Sequence, residues 1–217
     1  MSDAGTVTDA GTVTDASAMS DAGTHTAAGT RTFQGLTIPE PGTFILDPFH
    51  TRIGFSARHL MVSKVRGQFE EFTGSVTVAD DPLQSSADAV IITSSINTRV
   101  EMRDNHLKSS DFLEVPKYPE ITFRNARVVG QKGATLTVVG DLTIKDVTRP
   151  VELAVEFEGV ATSPAAMGGK QVIGFSITGE IDREDWGINY NQPMQNGGVV
   201  VGKKIRLEIE GEAVRQD

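Results

Sequence analysis

Arg103, Asp104, His106, Lys108 and Asp111 fall within ten residues, RDNHLKSSDF (103–112), arranged around Leu107 and Phe112. An imidazole between carboxylates and cations can exchange protons, and Ser109 or Ser110 could complete an Asp–His–Ser relay with Asp104 and His106. Such relays normally draw their members from separated segments held in fixed geometry, which weighs against neighbours in sequence. Arg103 with Lys108, or Arg58 with Lys64, could instead clamp an anionic group through the planar fork of donors that Arg supplies. His50, His59 and His106 are enough in number for a three-histidine metal site, with Asp47, Asp104 or Asp111 to orient the rings. Their spacing is not diagnostic. The cluster at 103–112 could equally be the polar lip of a pocket.

The remainder of the chain narrows these choices. No G-x-S-x-G elbow, phosphate-cradling glycine loop or H-E-x-x-H is present among the 217 residues. There is no Cys, which removes disulfides, thiolate nucleophiles and Cys-based zinc or iron–sulfur sites. A net charge of −9 opposes nucleic-acid binding, which needs clustered Lys and Arg to displace counterions from phosphates. No apolar run approaches the roughly 18 residues of a bilayer span, and the first residues carry neither a basic n-region nor an apolar h-segment. A soluble cytoplasmic protein is the expectation, or a periplasmic or secreted one if the start site is misassigned.

Residues 1–30 are low-complexity. DAGTVT occurs at 3–8 and again at 9–14, with DAGTHT at 21–26. Too little apolar area is available there to offset ordering entropy, so a disordered tail is expected, followed by a linker over 31–41. A barrel domain is expected over 42–217, where the pattern is period two from about Thr43 to Val214. Ile53, Phe55 and Ala57 share a face, as do Val90, Ile92, Ser94 and Ile96. Further sets are Ile121 and Phe123; Leu136, Val138, Leu142 and Ile144; Val151, Leu153, Val155 and Phe157. Ile173, Phe175, Ile177 and Ile181, then Ile205, Leu207 and Ile209, complete the series.

The opposite faces carry Thr, Lys, Glu, Arg and Asp, so the strands are antiparallel with one wet side. Long runs over 134–148 and 199–214 favour an all-β, up-and-down barrel over a sandwich. About eight strands would enclose room for one small apolar ligand. Gly74, Gly140 and Gly179 fit curvature and bulges in its wall. Two stretches break the alternation, RHLMVSKVRG (58–67) and VEMRDNHLKSS (100–110). Both read as short helical plugs or structured loops closing a barrel end.

FILDPFHTRIGFSARHLMVSKVRGQFEEFTGSV (44–76) resembles the opening of the YceI-like family, through Asp47, His50, Thr51, His59, Leu60, Gly67, Phe69, Phe72 and Gly74. RDNHLKSSDFLEVPKYPEITF (103–123) is similar to the family's second block, and GDLTIKDVTRPV (140–151) and REDWGI (183–188) to its third and fourth. The resemblance implies an eight-stranded, lipocalin-like antiparallel barrel around a long apolar ligand, a polyisoprenoid or isoprenoid quinone. No enzymatic activity is implied, and no cofactor beyond the bound lipid. Storage or transport of that lipid is the expected function. A metal- or haem-linked redox or stress-response protein using the three histidines is the alternative, and a lipid-modifying enzyme a third.

On this reading the ligand's head meets Arg58, His59, Arg103, His106 and His50. Its tail runs past Phe55, Phe112, Phe123, Leu142, Phe175, Ile177 and Trp186. Leu107 and Phe112 face inward, Asp104 or Asp111 orients the loop, no side chain holds a metal, and two copies could pair as a homodimer.

Overall fold

The computed structural model describes residues 29–194 and 197–216. The expected tail over 1–30 lies outside them, apart from its last two residues. The described chain carries thirteen strands and one α-helix. In order these are β1 (Thr30–Phe33), β2 (Leu36–Pro39), β3 (Gly42–Leu46), β4 (Arg52–His59), β5 (Ser63–Phe69), β6 (Phe72–Val78) and β7 (Ser86–Ile92). There follow β8 (Ile96–Asn97), α1 (Glu101–Lys108), β9 (Glu120–Lys132), β10 (Thr135–Ile144), β11 (Val147–Thr162), β12 (Gln171–Asp182) and β13 (Val201–Arg215).

Strands β3, β6, β7, β9, β10, β11, β12 and β13 pair antiparallel in that order, and β13 also pairs with β3, which closes an eight-stranded barrel. The pair β3 and β4 is one wall strand interrupted at 47–51, because both lie against β13. Likewise β5 continues into β6 across Glu70 and Glu71. Closure leaves no unpaired sheet edge around the ring.

Several expectations are corrected. Residues 58–67 form no plug: β4 and β5 are a hairpin with Arg58 opposite Lys64 and His59 opposite Ser63, so only 60–62 turn. The run 134–148 is two strands, because Lys145 takes a φ of 57° and reverses the chain between Ile144 and Val147. On β7 the inward residues are Ala87, Ala89 and Ile91, whereas Val90 and Ile92 lie in a shallow outer groove with Pro48 and Phe72. Ser94 sits in a 3-10 turn over Thr93–Ser95.

The segment 31–41, expected as a linker, contains β1 and β2. Gln34 (φ 48°) and Gly35 (φ 82°) give the two left-handed residues of a tight hairpin. Arg31 ties this hairpin to the barrel by donating to the carbonyls of Ala79 and Asp80. Phe33, Leu36 and Ile38 thereby cover the barrel end that holds the β6–β7 and β9–β10 turns. At the opposite end lie α1, the 60–62 turn and residues 183–194 and 197–200. No helix among the described residues is long and apolar enough to cross a membrane.

Candidate functional site

The interior is incompletely filled. A continuous cavity of about 700 Å³ runs between the two ends, within the range typical of small-molecule pockets. Inward positions alternate along each strand, so Ile53, Phe55, Phe123, Leu153, Phe175 and Ile205 come from different parts of the ring to one lumen. Small inward residues keep it open, among them Ala57, Ala87 and Ala89. Two aromatic rings need glycine beside them: a Cβ on Gly140 would stand 2.4 Å from Phe123, and one on Gly67 would stand 2.4 Å from Phe55. Gly140 coincides with a register shift between β9 and β10, which joins the expected bulge to a close packing contact.

The lining histidines and three of the four lining arginines lie at the α1 end, whereas Asp88, Arg127 and Gln131 line the cavity towards the hairpin end. Thr98, 5% exposed, is the hub that fixes the helix. Its N–H and hydroxyl donate to Asp104, and Arg103 donates from Nε to Thr98 Oγ1 (2.7 Å) and from a terminal nitrogen to Thr98 O (2.8 Å). Asp104 therefore orients the segment, as one of the two expected carboxylates. The other, Asp111, bonds to His106 Nε2 at 2.8 Å. The His106 ring stands edge-on to Phe112 and to Tyr190, with centroids 5.0 and 4.9 Å apart. Phe112 and Tyr190 are 5.2 Å apart in turn, so α1 and the 188–192 segment close this end with three rings.

Arg58, His59, Arg103 and His106 all line the cavity, as do Phe55, Phe112, Phe123, Leu142, Phe175 and Ile177. Leu107 also faces it. His50 and Trp186 do not. His50 belongs to the break between β3 and β4, where its Nδ1 bonds to Asp47 Oδ2 at 2.7 Å. Trp186 is 3% exposed inside the wall, and its indole N–H donates to Leu142 O at 3.2 Å. A large ring followed by a turn glycine is as well suited to anchoring a chain reversal as to lining a lumen.

Two specific arrangements expected from the sequence are not assembled. Ser109 Oγ donates to the carbonyl of His106, and Asp104 is committed to Thr98, so Asp104, His106 and Ser109 do not form a relay. The three histidines do not converge. Among the described residues the cluster with metal-ligand spacing is Asp47, His50 and Glu212, whose ligand atoms lie within 4.8 Å of one another, and it excludes His59 and His106. Asp47 holds the His50 pKa above its ordinary value, and its own is lowered by the same hydrogen bond.

Arg183 is a site residue that motif reading quoted without assigning. It lines the cavity, is 4% exposed, and donates to the carbonyls of Gly202, Val201 and Ile188. Burial pushes its guanidinium down from the ordinary value, opposed by Glu184 and Asp182. Neither carboxylate pairs with it, since Glu184 takes Lys203 at 2.6 Å and Asp182 accepts from the Glu184 N–H. A guanidinium offers five N–H donors, so three carbonyls leave part of the fork unspent. Its signal in sequence was the Arg followed by two acids just beyond a long strand. At the hairpin end Gln131 Oε1 is buried without a hydrogen-bond partner, an acceptor available to a donor from the lumen.

The YceI-like domain family matches residues 44–213. UPF0312 protein SA2479 of Staphylococcus aureus is 45% identical over 170 residues, covering 78% of this chain and 95% of that protein. The crystal structure of the Campylobacter jejuni YceI protein superposes with a TM-score of 0.62 at 30% identity, over 74% of this chain and 90% of that one. Burkholderia cenocepacia BcnA gives a TM-score of 0.63 at 20% identity, covering 79% and 99%. A polyisoprenoid binding domain from Saccharophagus degradans, implicated in plant cell wall breakdown, gives 0.59 at 12% identity, covering 82% and 100%. The last two show the likeness of fold.

Proposed function

Because the chain belongs to the YceI-like family, we propose that it is a non-enzymatic barrel that binds, stores or transports a long apolar isoprenoid-type lipid, a polyisoprenoid or an isoprenoid quinone. The observation that carries this reading is the cavity: about 700 Å³, predominantly apolar, with Phe33, Leu36 and Ile38 among the residues lining its hairpin end. Removing apolar surface from water is favourable by about 25 cal/mol per Å², so a chain laid along this lumen gains several kcal/mol without special chemistry. The Saccharophagus degradans domain, named for polyisoprenoid binding, supports the same class of ligand.

The polar end sets the orientation. Arg58, His59, Arg103, His106 and Arg183 line the lumen there, while Asp88, the one carboxylate among the lining residues, and Arg127 lie towards the far end. A head rich in acceptor oxygens fits donors of this kind. The test offers delipidated protein a polyprenyl phosphate, an isoprenoid quinone and a saturated fatty acid. Uptake of either isoprenoid is the expected result, and failure to take up any of the three would overturn the reading. His106→Ala should narrow the difference between the two isoprenoid heads by about tenfold, the worth of a charge-assisted hydrogen bond, while tail uptake persists. Equal loss of both would remove His106 from the head site.

A further inference from the structure

Eight large apolar residues are exposed among the described residues, and five of them stand at the α1 end: Leu60 (41%), Met61 (52%), Val62 (82%), Val100 (42%) and Met102 (82%). Leu60, Met61 and Val62 are the whole turn between β4 and β5. Leu60 and Met61 have φ of 50° and 62°. That left-handed conformation favours Gly or Asn, and it disfavours bulky side chains. Folding alone would put small polar residues here, gaining both conformational ease and solubility. The turn carries three hydrophobes instead.

Charge follows the same pattern. Across the β4–β5 ladder Arg58 stands directly opposite Lys64, a repulsive arrangement. Arg66 lies two residues further on, and Arg99 precedes α1. Among the described residues none of these four cations has an acidic partner. Of the carboxylates on the α1 segment, Asp104 is committed to Thr98 and Asp111 to His106, which leaves Glu101. Arg58, Lys64, Arg66 and Arg99 thus flank the exposed apolar residues, with Glu101 and Asp185 as the unpaired carboxylates among the described residues at this end, on a chain whose net charge is −9. The rim is continuous with the cavity, because Arg58, His59 and Val200 line it, and the Leu60 N–H donates to Val200 O.

We propose that this rim is a membrane-docking surface, with the 60–62 turn and Met102 entering the interface of a bilayer that displays anionic headgroups. Apolar residues inserted at that depth with cations at the phosphate level are the combination such interfaces select. Docking would place the polar end of the barrel against the lipid surface, so that a ligand passes between bilayer and lumen without crossing water.

The experiment is flotation of the full chain with vesicles of phosphatidylcholine alone and of phosphatidylcholine mixed with phosphatidylglycerol. Binding to the mixed vesicles, weakened by salt, is expected. Lys64→Glu should lower it by about tenfold, yet keep or raise the melting temperature, because it replaces the repulsion with Arg58 by an ion pair. Leu60→Asn with Met61→Gly should weaken binding by about tenfold through lost apolar insertion and fold at least as stably. Leu60 and Met61 do not line the lumen, so uptake of detergent-dispersed ligand should be unchanged in the Leu60→Asn with Met61→Gly chain.

The proposal fails if the chain floats with neither vesicle, or equally with both. It also fails if both variants bind as the parent does, or if the same substitutions instead dissolve a dimer in sedimentation. Docking and lumen occupancy are read separately, so failure here leaves the lipid-binding reading standing, and the reverse.

Discussion

Asp47 and His50 hold each other in opposite charge states at the break between β3 and β4. The hydrogen bond raises the His50 pKa above 6.5 and lowers that of Asp47 below 3.8. A raised folded pKa stabilises the fold fully below the unfolded value of 6.5, and that contribution fades as pH rises through the folded one. The Asp47 contribution is present above 3.8 and lost as pH falls through its depressed value. Removing His50 should therefore cost stability between these limits, near pH 5, and progressively less above the raised pKa. Denaturant titrations of His50→Ala at pH 5 and pH 8 check this. A difference larger at pH 8 would refute the pairing. At this scale sequence reading found most lumen residues, because strand parity dictates which side chains face inward. His50 and Trp186, expected at the ligand's head and tail, lie outside the lumen, since both sit at chain breaks where parity no longer applies. Arg183 escaped for another reason: a buried cation satisfied by carbonyls has no signature beyond its neighbours.

Strand elements were legible wherever one face was apolar and the other charged, as along β11, where Val151, Leu153, Val155 and Phe157 share one face and Glu152, Glu156 and Glu158 the other. On β7 the rule inverts. Its lumen face carries alanines that leave room for a ligand, while Val90 and Ile92 pack outside against Pro48 and Phe72. Hydrophobicity alone then selects the wrong face. The β4–β5 hairpin was misread because Leu60, Met61 and Val62 interrupt the alternation with an apolar turn, and the β1–β2 hairpin because Gln-Gly is a weaker turn signal than Asn-Gly.

The glycines have a sharper role than curvature. Gly140→Val should place a side chain against the Phe123 ring, where even a Cβ would come within 2.4 Å. Overpacking of this kind costs about 1–3 kcal/mol. Thermal denaturation should show the loss, and Phe123→Leu in the same chain should recover part of it. An unchanged melting temperature for Gly140→Val would mean the ring is free to move, contrary to the packed wall.

At the scale of the whole molecule, eight antiparallel strands enclose an apolar volume that the side chains do not fill. Proteins rarely leave such space without an occupant, since each unfilled contact forfeits dispersion energy. The β1–β2 hairpin covers one end, and helix α1 narrows the other with the edge-on and tilted rings of His106, Phe112 and Tyr190, where most of the lining cations also lie. The measurement that bears most directly on this account is mass spectrometry of the chain as purified, first intact under native conditions and then after extraction with organic solvent. The account predicts a mass increment released by the solvent and identified as an isoprenoid lipid. A barrel that is empty as purified, and stays empty when polyprenyl phosphates and isoprenoid quinones are supplied, would contradict it.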